Sequence, residues 1–140
     1  MAKKYLLLAE DDPDDQEALR LAFIKEIGSI EIECVADGVE MLAHLNNCSQ
    51  DKLPTIILMD YHMPVKNADD ILKDLSADNR LSHIPKLVWS TSDRSEYMDR
   101  CISAGALRYI HKPSTLKELH EIAATISGIM HEYGAEFELR

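Results

Sequence analysis

Short apolar segments that alternate with amphipathic segments constrain the fold of this chain more than any other feature. KYLLLA and TIILMD are almost continuously apolar, as is typical of strands that are buried on both faces of a sheet. IEIECV alternates between polar and apolar residues, and KLVWS and RYIH complete a set of five predicted strands. A helical pattern follows each strand, so the chain is predicted to consist of five strand–helix units.

The predicted helices have recognisable ends and apolar faces. Gly28 is predicted to end the first helix and Gly105 the fourth. The second helix, GVEMLAHLNN, is expected to turn Val39, Leu42 and Ala43 inward, with Leu45 as a further candidate. In the first helix, the apolar positions at helical spacing are Leu19, Ala22, Phe23 and Ile27. In the last helix, STLKELHEIAATISGIMHEY, they are Leu116, Leu119, Ile122, Ala123, Ile126 and Ile129.

Alternating units of this kind predict an α/β fold, in which a parallel sheet carries helices on both faces and right-handed crossovers join the strands. Five strands suit the flavodoxin-like order 2-1-3-4-5. The chain has 140 residues, which is the length of one typical domain. Residues 1–140 are therefore expected to form a single domain.

Charge and cysteine content exclude several classes of function. The formal net charge is -10, from 25 acidic and 15 basic residues, which argues against nucleic acid or an anionic membrane as a partner. No apolar run approaches the roughly 18 residues that span a bilayer. Cys34, Cys48 and Cys101 are odd in number and form no CxxC pair, so neither a disulfide framework nor structural zinc is expected. Reduced thiols fit a cytoplasmic protein.

Polar residues follow four of the predicted strands, at the edge of the sheet where such folds bind ligands. Glu10 and Asp11 follow the first strand, and Asp60 ends the third. Ser90 ends the fourth strand, and Lys112 follows the fifth. Clustered carboxylates suit Mg²⁺, whereas a lysine and a hydroxyl group suit a phosphoryl group beside that cation. An aspartate can itself accept the phosphoryl group as a nucleophile.

Three more acids close to this cluster are assigned to a helix instead. Asp12, Asp14 and Asp15 stand at the start of the first helix, where negative charge complements the helix dipole. Glu10, Asp11 and Asp60 are expected to repel one another in the absence of metal. Their crowding is therefore predicted to lower the stability of the metal-free protein.

Four segments together resemble a known family. LLLAEDD, IILMDYHMP, LVWSTS and YIHKP resemble the four signature segments of response-regulator receiver domains, in the same order and at the same strand ends. The resemblance extends from about Lys4 to the last helix. It implies a phosphate-accepting receiver of the single-domain chemotaxis type, which acts in a two-component phosphorelay and signals by protein contact.

The resemblance also implies a role for each matching residue. Asp60 is the implied phosphoacceptor, and Lys112 is implied to pair with its phosphoryl group. Glu10, Asp11, Asp60 and the backbone carbonyl of His62 are the implied ligands of Mg²⁺. The only chemistry implied is Mg²⁺-dependent phosphorylation and dephosphorylation of the protein itself, so no enzyme with a separate substrate is expected.

Further implications concern switching and partners. Ser90 is implied to donate a hydrogen bond to the phosphoryl group, and Tyr109 to turn inward when Ser90 moves. A cis bond between Lys112 and Pro113 is implied as well. The implied partners are a sensor histidine kinase or phosphotransfer protein and an unidentified downstream protein. A homodimer through the face of the fourth helix, fifth strand and fifth helix is a further option.

Other functions are compatible with parts of the pattern. The main alternative is a Mg²⁺-dependent phosphatase with an aspartyl-phosphate intermediate. Such enzymes usually carry a second Asp two residues after the nucleophile, where this chain has His62. A flavin-binding electron carrier of the same fold would need a phosphate-binding loop after the first strand, where EDDPDD would repel phosphate.

Overall fold

Strands and helices alternate throughout the part of the chain that the computed structural model describes, namely residues 5–28 and 30–138, with side chains up to residue 133. The strands are β1 (Tyr5–Ala9), β2 (Glu31–Val35), β3 (Ile56–Asp60), β4 (Lys86–Ser90) and β5 (Arg108–His111). The helices are α1 (Pro13–Ile27), α2 (Gly38–Asn47), α3 (Ala68–Ala77), α4 (Ser95–Ser103) and α5 (Leu116–Glu138). Lys4, the first residue of the predicted KYLLLA strand, lies outside the described residues, as do both ends of the predicted 1–140 domain.

The five strands form one parallel sheet in the order β2-β1-β3-β4-β5. The predicted flavodoxin-like fold is therefore confirmed. Because β1 lies between β2 and β3, the chain reverses direction across the sheet after β2, and a crevice opens beyond the carboxyl ends of β1 and β3. The described residues contain no helix that is both long enough and apolar enough to cross a bilayer.

The sheet separates two apolar layers, because successive strand residues point to opposite faces. Leu7 and Ala9 of β1 pack on one face with residues of α2, α3 and α4. Leu6 and Leu8 pack on the other face with residues of α1 and α5. Both faces of the central strands are thus buried, which explains why these strands are continuously apolar in the sequence.

The predicted inward face of α2 is correct for Leu45 and for the partly buried Leu42, but wrong for Val39 and Ala43. Val39 is 48% exposed and Ala43 is also exposed, whereas Met41 and Leu45 are fully buried. Gly38 explains the difference, because a Cβ atom at this position would lie 2.5 Å from Cγ1 of Ile71 in α3. The close approach of the two helices at Gly38 therefore sets the rotation of α2 about its axis.

The predicted end of α1 is confirmed, whereas two apolar residues that were predicted to face the core are exposed. Asp12 caps α1 by accepting a hydrogen bond from the Asp14 N–H, and Gly28 ends the helix at a φ of +78°. Ile27, predicted to be buried, is 39% exposed at the last position of α1. Leu116, predicted to join the apolar stripe of α5, is 73% exposed at its first position. Helix α5 also continues beyond the predicted end at Tyr133.

Lys86 is a buried lysine at the start of β4. Its side-chain ammonium donates a hydrogen bond to the carbonyl of Ser82 at 3.0 Å, and no described carboxylate lies within ion-pair distance. Burial lowers the pKa of Lys86 to about 8. The folded protein therefore carries a poorly solvated positive charge at neutral pH.

We expect Lys86→Met to raise the free energy of unfolding at pH 7 by about 1–3 kcal/mol, because the substitution removes the desolvated charge. The folded pKa is lower than the unfolded one, so wild-type stability should rise as the pH increases from about 8 to 10. The difference in the free energy of unfolding between Lys86→Met and wild type should therefore decrease over the same pH range. Urea unfolding at pH 7 and pH 10 measures both effects, with Lys73→Met at an exposed position of α3 as the control. A Lys86→Met protein no more stable than wild type at pH 7 would contradict this account.

Candidate functional site

The carboxyl ends of four strands bring the predicted site residues to one edge of the sheet. Asp60 and Ser90 are the last residues of β3 and β4, and Glu10 follows β1. Backbone hydrogen bonds extend the ladder beyond the strands, from the Glu10 N–H to the Val35 carbonyl and from the Lys112 N–H to the Ser90 carbonyl. These bonds hold the site residues on the rigid sheet.

The side chain of Lys112 is the centre of the site. Its ammonium nitrogen lies 2.6 Å from Glu10 Oε1, 3.0 Å from Asp15 Oδ2 and 3.2 Å from Asp60 Oδ2. An ammonium group has three donors, so each carboxylate can accept one hydrogen bond. The same nitrogen lies 5.1 Å from the ring centre of Trp89, which forms an aromatic floor beneath it.

Burial and charge oppose each other at this ion cluster. Burial raises the pKa of Glu10, whose side chain is 1% exposed, and the hydrogen bond from Lys112 opposes that rise. Burial would lower the pKa of Lys112, but hydrogen bonds to Glu10 and Asp15 and the charge of Asp60 outweigh it and raise that pKa. Lys112 is therefore a permanent cation that neutralises part of the acidic cluster.

Three carboxylates form a group that could bind a metal ion. One carboxylate oxygen from each of Glu10, Asp11 and Asp60 lies within 4.8 Å of the other two. Glu10 is buried, Asp60 is half-buried and Asp11 is exposed, so the group opens to solvent on one side. Oxygen ligands with an open, hydrated side are the donor set that Mg²⁺ favours, and the residues therefore fit that ion.

His62 lies in the loop after the proposed phosphoacceptor. Its backbone N–H donates to Asp60 Oδ1 at 3.3 Å, and its ring packs edge-on against Tyr61 and Tyr97. Tyr61 is buried and stacks on Tyr97 of α4, with ring centres 4.4 Å apart. The sequence analysis did not anticipate this aromatic cluster, which connects the loop after Asp60 directly to α4.

Ser90 and Tyr109 both contact Ser92 in the loop after β4. Ser90 is fully buried, and its hydroxyl oxygen accepts a hydrogen bond from the Ser92 N–H at 3.1 Å. Tyr109 is half-buried, and its hydroxyl donates to the Ser92 carbonyl at 3.1 Å. Both predicted switch residues therefore form a hydrogen bond with the loop that follows β4.

Two predictions about this site are corrected. Asp15 was assigned to the helix start alone, but its carboxylate also pairs with Lys112. No local pattern signals this pair, because Asp15 and Lys112 lie 97 residues apart in the sequence. The implied cis bond between Lys112 and Pro113 is wrong, because the described residues contain no cis peptide bond.

Comparison with known proteins identifies the family of the chain. A family model, the response regulator receiver domain, matches residues 6–124. The chain belongs to this family. The receiver domain is 28% identical over 121 residues to the two-component response regulator ORR1 of rice (Oryza sativa), covering 84% of this chain and 52% of that protein. It is 28% identical over 125 residues to the peroxide stress-activated histidine kinase mak2 of Schizosaccharomyces pombe, covering 85% of this chain and 5% of the kinase. It thus spans about half, or much less, of the length of these relatives.

Solved structures share the fold over nearly the whole chain. The phosphorylated cyanobacterial phytochrome response regulator RcpA superimposes with a TM-score of 0.80 and 28% identity, covering 89% of this chain and 91% of RcpA. A CheY-like response regulator receiver domain protein from Methanospirillum hungatei gives a TM-score of 0.77 at 22% identity, covering 96% of this chain and 98% of that one. Both comparisons support the same five-stranded architecture.

We expect Lys112→Met to lower the free energy of unfolding by about 3 kcal/mol at pH 7.5 in EDTA, because buried Glu10 loses its ion-pair partner. Without the ammonium, the pKa of Glu10 in the folded protein should rise further above its unfolded value. A carboxyl group with a raised pKa favours the folded state as it becomes protonated, so the variant should recover stability as the pH falls toward 5.

Urea unfolding of wild type and variant at pH 7.5 and pH 5.5 measures this effect. Lys66→Met is the control, because Lys66 pairs with Asp74 on the surface, where both side chains are nearly half exposed. The Lys66→Met substitution should lower the free energy of unfolding by less than about 1 kcal/mol. If the loss in Lys112→Met were equal at both pH values, the role of Lys112 would be packing alone.

Proposed function

We propose that this receiver domain accepts a phosphoryl group on Asp60 in a Mg²⁺-dependent reaction. The observation that carries the proposal is the position of Asp60, whose carboxylate lies beside the Lys112 ammonium and also within the carboxylate group of Glu10 and Asp11. A sensor histidine kinase or a phosphotransfer protein is the proposed donor. The acceptor then signals by contact with a downstream protein.

Each residue of the site has a separate role in the proposed phosphoryl transfer. An oxygen of Asp60 attacks phosphorus, and the bond between phosphorus and the donor histidine nitrogen breaks. Lys112 is already 3.2 Å from Asp60 Oδ2, so its ammonium is placed to bind a phosphoryl oxygen. Glu10, Asp11, Asp60 and the His62 carbonyl are the proposed Mg²⁺ ligands. When bound there, Mg²⁺ would offset the charge on the phosphoryl oxygens.

The proposed response to phosphorylation begins at Ser90. Its hydroxyl would move to donate a hydrogen bond to the phosphoryl group and would thus give up its bond with the Ser92 N–H. Tyr109 donates to the carbonyl of the same Ser92, so a movement of this loop would release the tyrosine to turn inward. Phosphorylation would in this way shift the equilibrium between two arrangements of the loop after β4.

The face formed by α4, β5 and α5 is the proposed output surface. It exposes three large apolar side chains in or next to α4, namely Met98, Ile102 and Leu107, at 41%, 47% and 40% of their areas. Exposed apolar groups of this kind suit contact with a downstream protein or with a second copy of this chain. The phosphatase alternative has less support, since exposed His62 stands where its second aspartate is needed.

We expect acetyl phosphate and Mg²⁺ to add one labile phosphoryl group to Asp60, detected as the mass of HPO₃ by intact-protein mass spectrometry. Asp60→Asn should abolish the adduct, because it removes the nucleophile. Asp70→Asn, at an exposed position of α3, is the matched control and should react like wild type. Equal labelling of Asp60→Asn and wild type would refute the assignment of Asp60.

A second prediction concerns the stability of the acidic cluster. Mg²⁺ at ten times its dissociation constant should stabilise the fold by about 1.4 kcal/mol through mass action. Asp11→Asn should raise the melting temperature in EDTA, because it relieves repulsion with Glu10 and Asp60, and it should weaken the Mg²⁺-induced rise.

Asp14→Asn is the control for thermal melts with and without Mg²⁺. Asp14 is an exposed acid of the first turn of α1 and lies outside the group of possible metal ligands. The control should show neither effect. Identical behaviour of Asp11→Asn and Asp14→Asn would mean that Asp11 is not a ligand of the cation.

A further inference from the structure

The three carboxylates that contact Lys112 are of two kinds. Glu10 and Asp60 belong to the group that could bind a metal ion, whereas Asp15 does not. Asp15 nevertheless lies 3.0 Å from the Lys112 ammonium, closer than Asp60 at 3.2 Å. Its side chain is 36% exposed, and the lysine side chain is 11% exposed.

A cation at this site and the Lys112 ammonium would share two carboxylates. Mg²⁺ would draw on Glu10 and Asp60, which supply two of the three contacts of the ammonium. The two positive charges also repel each other at short range. Because Lys112 is largely buried, an ammonium without a carboxylate partner there would be costly. Asp15 would remain available to pair with Lys112, because it does not belong to the group that could bind the cation.

Local contacts at the start of α1 position Asp15 beside Lys112. Asp12 caps the helix, and Pro13 occupies its first turn. The side-chain amide of Gln16 donates to the backbone carbonyl of Glu10 at 2.5 Å, which connects the helix to the end of β1. Asp15 therefore approaches Lys112 from a capped helix that is hydrogen-bonded to the end of β1.

We propose that Asp15 is a positioning residue that holds the Lys112 ammonium when a divalent cation occupies the site of Glu10, Asp11 and Asp60. The inference rests on the Mg²⁺ site of the proposed function. Asp15 lowers the cost of separating Lys112 from the metal ligands, and it keeps the lysine at the site while the cation is bound. Mg²⁺ affinity therefore depends on Asp15 through Lys112.

Titration with Mg²⁺ alone tests the proposal without phosphorylation. Isothermal calorimetry gives the dissociation constant, and the fluorescence of Trp89, the single tryptophan of the chain, gives a second measure beside Lys112. Asp15→Asn should weaken Mg²⁺ binding about five- to tenfold. Asp14→Asn removes the same charge from the neighbouring position and should weaken binding no more than about twofold, because the charge is solvated and screened.

The same pair of substitutions in a Lys112→Met background separates positioning from general charge. Without the ammonium, Asp15→Asn and Asp14→Asn should weaken Mg²⁺ binding equally, within about twofold. Lys112→Gln serves as the background if Lys112→Met does not fold in EDTA. The difference between the two backgrounds is the coupling between Asp15 and Lys112.

Three outcomes would overturn the proposal. Asp15→Asn could match Asp14→Asn when Lys112 is present, or it could retain its larger effect when Lys112 is absent. A wild-type protein that binds no Mg²⁺ would overturn the metal site of the proposed function together with this inference. Failure of Asp60 labelling with intact Mg²⁺ binding would instead affect phosphoryl acceptance alone.

Discussion

The ammonium of Lys112 is the interaction on which the site depends. It compensates one carboxylate that follows β1, one in α1 and one at the end of β3, and the first of these, Glu10, is almost fully buried. A buried carboxylate without a partner would be strongly destabilising, so the lysine makes the acidic cluster compatible with a folded protein. The same cluster fits a divalent cation, which means that binding and folding use the same charges.

The parallel sheet is what makes this arrangement possible. Strands that all end at one edge bring together residues that are far apart in sequence, such as Glu10 and Lys112. Both faces of the sheet are covered by helices, so the edge is the part of the sheet where polar groups can reach solvent. The aromatic contact of Tyr61 with Tyr97 then connects this edge to α4, where apolar side chains are exposed.

Most of the fold could be predicted because strand and helix periods differ clearly in this sequence. Caps such as Asp12 and Gly28 act locally, and their effects were therefore predictable from neighbouring residues. The inward face of α2 was predictable only in part, since Leu42 and Leu45 were placed correctly but Met41 was not anticipated. It depends on the contact of Gly38 with Ile71 of another helix, and two rotations of α2 would have buried apolar residues.

The sequence by itself determined the α/β architecture, the strand ends and the set of residues at the edge of the sheet, because each follows from local periodicity and from the geometry of parallel strands. Only the tertiary structure decided which of the acids share Lys112. Asp15 looked like an ordinary helix-start acid, and its second role arises because the first turn of α1 lies within ion-pair distance of Lys112, the residue that follows β5. Ion pairs between distant segments depend on distances of a few ångströms, which no local pattern encodes.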